Sequence, residues 1–120
     1  MKKRELLEAA ARAAGIEIEW ERDPAFVQER WQAMVPCGWV GQPSQCEWNP
    51  LREDGDALRL AVKLGIGIEW WESMPNGICG RVNFDGNGVI LMENVHDKAV
   101  ILRSAIVRAA AAIDAQRRET

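Results

Sequence analysis

Alternating apolar and polar residues mark two short segments of this chain as strands of a half-buried sheet. Residues 16–20 are Ile-Glu-Ile-Glu-Trp and residues 66–70 are Ile-Gly-Ile-Glu-Trp, and a glycine precedes each segment. Strict alternation places successive side chains on opposite faces of a sheet. We therefore expect two helix–glycine–strand units whose strands are neighbours in one sheet. Their apolar side chains should share one buried face: Ile16, Ile18, Trp20, Ile66, Ile68 and Trp70.

Longer segments have the apolar spacing of amphipathic helices. Residues 2–14 are followed directly by Gly15, and the segment from about 50 to 65 ends in Gly65. Glycine is a common helix stop. Residues from about 97 to 118 carry a stripe of apolar side chains at helical spacing. A further short helix is expected from about 23 to 33, after an Asp-Pro pair.

A hairpin and a loop complete the predicted fold. Residues 78–84 and 89–92 flank Asp-Gly-Asn-Gly, which is typical hairpin turn chemistry. Residues 36–47 contain two glycines and two prolines, which indicates a loop or a small hairpin. We predict a single domain over residues 1–120 of the α+β class, with a mainly antiparallel sheet covered by about three helices, similar to an αβα sandwich.

Composition narrows the function classes. With 120 residues and 48% hydrophobic residues, the chain can bury one core. The net charge of −3 gives no general attraction for duplex nucleic acid. No apolar run is long enough for a membrane span, and no apolar segment follows the basic N-terminus as in a secretory signal. We expect a protein of the cytoplasm that binds neither a membrane nor duplex nucleic acid.

The cysteines are expected to be reduced thiols. Cys37, Cys46 and Cys79 are an odd number, whereas small secreted domains have dense, paired cysteines. A zinc site made of the three thiols and His96 is the alternative, but the chain has no Cys-x-x-Cys pair to support it. We therefore predict no metal and no cofactor.

Catalytic signatures are missing from the sequence. His96 is the sole histidine, no serine or cysteine lies in a Gly-x-Ser-x-Gly elbow, and no Lys-Ser or Lys-Thr follows a glycine-rich loop. We expect a binding protein rather than an enzyme.

One set of residues is suited to a nucleotide. An aromatic ring can stack on a base, an amide can read its edge, and guanidinium groups can bind phosphate. Taken singly, Phe84 could instead be a core residue and Asn94 a helix cap. The predicted ligand-binding residues are Phe84, Asn94, Arg81, Arg103 and Arg108, with Arg59 near the tryptophan-bearing loops as a further candidate.

The last helix has apolar residues away from its main stripe. Val100 and Val107 fall on that other side, next to the alanine run 109–112. The helix is either buried on two sides within its own chain or used in a subunit contact. The second alternative predicts a symmetric homodimer, or a multiple of it, formed through the last helix.

Residues 48–65 also carry a family resemblance. The run contains Trp48-Asn49-Pro50-Leu51, then Asp-Gly-Asp-Ala-Leu and Leu-Gly-Ile. It resembles small phage and prophage proteins of the phage ABA sandwich type. The chain is also similar to phage anti-defence sponges, which counter Thoeris immunity by sequestering a cyclic ADP-ribose signal.

That resemblance implies a function for the binding residues. It implies a symmetric oligomer that binds a cyclic ADP-ribose isomer or a cyclic oligonucleotide without turnover. Phe84 and Asn94, ten positions apart, would contact this ligand. The alternatives are a protein-binding inhibitor of a host defence complex, comparable to an anti-CRISPR, and a small phage protein with an unknown ligand.

Overall fold

The computed structural model describes residues 2–22, 31–37, 44–74, 77–84, 88–92 and 97–119. These residues form three helices and two three-stranded antiparallel sheets, which confirms the predicted α+β class. None of the described helices has the length and apolar character needed to cross a membrane. In chain order the elements are α1 (Lys3–Ala14), β1 (Glu19–Arg22), β2 (Trp31–Pro36), β3 (Gln45–Glu47), α2 (Asp54–Leu64), β4 (Gly67–Ser73), β5 (Gly77–Phe84), β6 (Gly88–Met92) and α3 (Lys98–Glu119).

The C-terminal sheet has the strand order β4-β5-β6 and contains the predicted hairpin. Strands β5 and β6 pair from Phe84 opposite Gly88 to Gly80 opposite Met92, within one residue of the expected bounds. Helix α3 packs over β5 and β6. Val82, Phe84 and Met92 are buried there because strand alternation directs them to the helix-covered face.

The N-terminal sheet has the order β1-β2-β3 and differs from the sequence prediction. Residues 31–33 were expected to end a helix, but they begin β2, which pairs with both β1 and β3. Residues 23–30 of that expected helix lie outside the described residues. Because β1 pairs with β2, it is not a neighbour of β4, and the expectation of one shared sheet was wrong.

The predicted common buried face was also wrong in part. The strand expected over residues 16–20 begins only at Glu19, so Ile16 and Ile18 precede it. With Trp20 they pack partly buried against the core, and Ile66 is buried. Ile68 and Trp70, however, remain 37% and 36% exposed on β4. The physical reason is that α3 lies over the other two strands of that sheet.

Helices α1 and α3 pack closely through their alanines. Ala10 of α1 and Ala105, Ala109 and Ala110 of α3 are fully buried in one hydrophobic cluster. Small side chains allow the two backbones to approach. Val107 is also fully buried, so the expectation that it forms an outer subunit contact was wrong. At Val107 the other alternative is correct, because the chain itself buries this side of α3.

An ion pair lies at the far end of the same helix pair. Asp114 is only 6% exposed, and its Oδ2 accepts hydrogen bonds from Nε and Nη2 of Arg12, both at 3.2 Å. The Nη1 of Arg118 lies 3.9 Å from the same oxygen. Arg117 Nη1 donates to the carbonyl oxygen of Ala13 at 2.7 Å. These contacts fix the register of α1 against α3.

Helix α2 begins later than the sequence suggested. Asn49 and Pro50 were expected to start it, but its first residue is Asp54. Asn49 instead forms a turn, in which its Oδ1 accepts the N–H of Leu51 at 3.2 Å. The N–H of Asn49 is bound by the carboxylate of Asp56 at 3.0 Å. The helix ends as predicted, at Gly65, which has φ 67°.

The expectation of three reduced thiols was wrong for two of them. Cys37 and Cys46 form a disulfide, with a Cα–Cα distance of 5.8 Å, and Cys79 is a free, buried thiol. Antiparallel pairing of β2 and β3 brings the two cysteines together, since Val35 lies opposite Cys46. No cysteine spacing or motif in the sequence indicates that Cys37 pairs with Cys46.

Candidate functional site

The main candidate site is a cleft between the first turns of α1, the N-terminal sheet and the turn that precedes α2. Its volume of about 570 Å³ lies in the range of roughly 300–1,000 Å³ that is usual for small-molecule sites. We call it the tryptophan cleft, and it is lined by Lys3, Arg4, Leu7, Trp20, Trp31, Gln32, Ala33, Glu47, Trp48, Asn49, Leu51 and Arg52.

Two indole rings and one guanidinium form a stack at the mouth of the cleft. In the β1–β2 ladder, Trp20 lies opposite Ala33 and Trp31 lies opposite Arg22, so the two tryptophans are diagonal neighbours on one face. The Arg4 guanidinium carbon lies 4.6 Å from the ring centre of Trp20 and 5.8 Å from that of Trp31. Trp31 is 47% exposed, which leaves ring surface open to a ligand.

Glu8 holds this stack in place. Its Oε1 accepts a hydrogen bond from the indole nitrogen of Trp20 at 3.0 Å and lies 3.5 Å from Nε of Arg4. One carboxylate on α1 therefore fixes both a ring on β1 and a cation one helical turn away. Side chains that are ordered before binding lose less conformational entropy when a ligand arrives.

Three cations and one carboxylate line the cleft. The cations are Lys3, Arg4 and Arg52 and the carboxylate is Glu47, while Arg4 also pairs with Glu8 and Arg52 with Glu53. Lys3 is the first residue of α1, so the helix N-terminus adds a partial positive charge at the same place. The ion pair of Arg52 with Glu53 is 3.9 Å long and exposed on both sides, so little is lost when Arg52 turns to an anion.

The predicted aromatic partner does not lie at a surface. Phe84 is buried at 6% exposure, and a side chain added at Gly88 would collide with its ring. Arg81 is three residues away in the same strand and therefore lies on the opposite face of the sheet. There it binds Glu69 at 2.8 Å, and Asn83 donates to the other oxygen of the same carboxylate at 3.3 Å. The fold thus keeps Phe84 and Arg81 apart.

The remaining predicted residues are dispersed. Arg103 is held by the carbonyl oxygen of Leu51 at 3.0 Å and by Asp54. Arg59 binds Asp56 at 2.6 Å beside a groove of about 900 Å³ that the disulfide also lines. Arg108 is exposed on α3. Asn94 lies outside the described residues, as does His96.

The tryptophan cleft itself was missed by the sequence analysis. Trp20 was expected on the buried face of a sheet and Trp31 at the end of a helix, so neither ring was assigned to a ligand site. A strand assignment for residues 31–36 would have aligned Trp31 diagonally with Trp20. The signal for that strand is weak, because Trp-Gln-Ala-Met-Val has neither strict alternation nor a helical period.

Comparisons of the chain with family models, with curated proteins and with solved structures found no match. The resemblance to phage ABA sandwich proteins therefore stays a prediction. Among the described residues, no group of three or more histidine, cysteine, aspartate or glutamate side chains is arranged to hold a metal ion. The geometry of the cleft is thus the basis for a functional proposal.

Proposed function

We propose that this protein binds a nucleotide-class anion in the tryptophan cleft and sequesters it without turnover. The observation that carries the proposal is the pairing of Trp20 and Trp31 with the cation of Arg4 in one cavity. The ligand class is a cyclic nucleotide signal, either a cyclic ADP-ribose isomer or a cyclic oligonucleotide. The family resemblance favours the same ligand.

Each part of such a ligand has a matching group in the cleft. A base is flat and stacks on an exposed indole such as Trp31. Phosphates are bound by guanidinium and ammonium groups, and those of Arg52 and Lys3 line the cleft. The amide side chain of Gln32 lines the same cavity and can donate to or accept from a base edge. The cavity volume of about 570 Å³ is usual for a site that binds a small molecule.

The lining favours retention of the ligand over its conversion. Among the described residues that line the cleft, Glu47 is the one carboxylate, and the others include no histidine, cysteine, serine or threonine. Hydrolysis or transfer of a phosphate ester normally needs a positioned base, a nucleophile or a metal. Sequestration requires none of these groups.

Binding should be tested by calorimetry against cyclic ADP-ribose isomers and cyclic di- and trinucleotides. We expect Trp31→Ala to weaken binding by roughly 5- to 150-fold, since stacking on one aromatic ring contributes about 1–3 kcal/mol. Trp71→Ala is the matched control, because Trp71 has a similar exposure of 40% but lies in the other sheet. The Trp71→Ala variant should bind the ligand with the affinity of the wild type.

A second measurement separates sequestration from turnover. The complex is heated, and the released nucleotide is compared with the input by chromatography. Intact nucleotide supports sequestration, whereas a product would identify an enzyme. If no compound binds, or if Trp31→Ala binds as well as the wild type, the cleft is not the site. If no compound binds, the alternative that the protein inhibits a host defence complex by binding to it gains support.

A further inference from the structure

Strand β4 is an unprotected edge of the C-terminal sheet. The strand order β4-β5-β6 leaves one side of β4 without a partner strand among the described residues. Its seven residues pair one-to-one with β5, from Gly67 opposite Asn83 to Ser73 opposite Gly77, so no bulge interrupts it. It contains neither lysine nor proline, the residues that most often block an edge. A long, regular edge of this kind is suited to a further strand.

The two edges of the N-terminal sheet are less suited to pairing. Strand β1 has four residues, of which three are charged, and β3 has only three residues and lies next to the disulfide. Strand β6, Gly-Val-Ile-Leu-Met, has no charged residue, but with five residues it is two residues shorter than β4. Short and charged edges are how soluble proteins avoid uncontrolled strand pairing. Length distinguishes β4, which is the longest of these four edge strands.

Apolar side chains extend from the β4 edge onto both faces of the sheet. Ile68 and Trp70 lie on the helix-covered face, yet each remains more than one third exposed. They border an apolar groove of about 390 Å³ that also includes Leu58, Leu102 and Ile106. Trp71 is exposed on the opposite face. A partner strand would cover the apolar surface that α3 leaves open.

We propose that a second copy of this chain docks on β4, so that two β4 strands pair antiparallel about a twofold axis at Trp70. This arrangement places Trp70 opposite its own copy and Glu72 opposite Ile68 of the other copy, all on the face that borders the groove. The two three-stranded sheets then form one continuous six-stranded sheet. An aromatic pair lies at the centre of the new ladder.

Charge complementarity favours a second copy over an unrelated strand. The Lys98 ammonium lies 5.6 Å from the ring centre of Trp70, on the groove side. In the proposed register, Glu72 of one copy arrives diagonally next to Trp70 of the other, beside this ammonium. Neither Glu72 nor Lys98 has an ion-pair partner within the part of the chain that the structure describes. The twofold axis therefore creates two identical Glu72–Lys98 pairs.

Sedimentation velocity should detect this dimer over a protein range of about 1 µM to about 1 mM. We expect a concentration-dependent dimer for the wild type and a monomer for Trp70→Lys. Leu91→Lys is the matched control, because Leu91 is exposed on β6, the opposite edge of the same sheet. It should dimerise like the wild type. Circular dichroism verifies that each variant is folded.

A charge swap tests the register and uses only exposed residues. Glu72→Lys and Lys98→Glu should each raise the dimer dissociation constant by about tenfold or more, because each puts like charges together. The double variant, Glu72→Lys with Lys98→Glu, should restore most of the wild-type affinity. A wild type that stays monomeric at the highest concentration overturns the proposal. A dimer that survives Trp70→Lys, or a double variant without rescue, also overturns it.

Discussion

Removal of the Cys37–Cys46 disulfide is the most direct test of the N-terminal sheet. The bond closes a loop of ten residues in the unfolded chain. Loop-closure entropy for that length gives about 2.7 kcal/mol of stabilisation at 25 °C. For a 120-residue chain this corresponds to a fall in Tm of about 10 °C. Both cysteines are exposed, so serine at these positions adds no cavity of its own.

A backbone hydrogen bond next to the disulfide limits the loss of stability. The N–H of Cys37 donates to the carbonyl oxygen of Ser44 at 3.0 Å, which keeps the two strand ends together without the bond. We therefore expect the double variant Cys37→Ser/Cys46→Ser to remain folded at 25 °C. Its Tm should lie about 10 °C below that of the oxidised wild type.

Calorimetry with and without a reductant provides the matched comparison. The wild type should lose stability on reduction and approach the double variant, which should not respond to the reductant. Thiol titration of the denatured, unreduced protein should detect one thiol, that of Cys79. Three thiols, or a wild-type Tm that ignores the reductant, would refute the pairing and restore the sequence-based expectation.

Three further changes test the packing, each by urea unfolding. Arg12→Ala leaves the buried carboxylate of Asp114 with only a distant cation and should cost about 2–3 kcal/mol; unchanged stability would contradict this. Gly80→Ala places a Cβ 2.6 Å from the Trp70 ring and should cost about 1–3 kcal/mol. Val107→Glu puts a charge at a fully buried position and should unfold the protein, whereas a variant that stays folded would contradict that burial.

The sequence predicted local structure where local chemistry decides it. Gly15 and Gly65 have φ of 69° and 67°, a conformation that glycine adopts without strain, so the ends of α1 and α2 were correct. The β5–β6 hairpin was correct because turn residues and alternation act over a few positions. The predicted start of α2 was wrong. The carboxylate of Asp56, seven residues further along, binds the N–H of Asn49 and holds a turn in place of the expected first helical turn.

The candidate site depended on contacts that the linear pattern does not contain. Phe84 was the expected stacking ring, but α3 covers its face of β5 and buries it. The stack of Arg4 with Trp20 and Trp31 joins a helix and two strands, and none of its members is at a fixed spacing from the others. Residue types alone suggested nucleotide chemistry, but they did not indicate which aromatic and basic residues meet.

By itself, the sequence determined the α+β class, helices α1 and α3, the end of α2 and the hairpin. Propensity, capping and turn chemistry act between residues near in the chain, so they can be read from it. Tertiary structure alone decided that there are two sheets, that Cys37 and Cys46 meet, and that Val107 is buried while Trp70 is exposed. Strand partners and helix coverage join residues distant in sequence, and alternation assigns a side chain to a face without saying what covers that face.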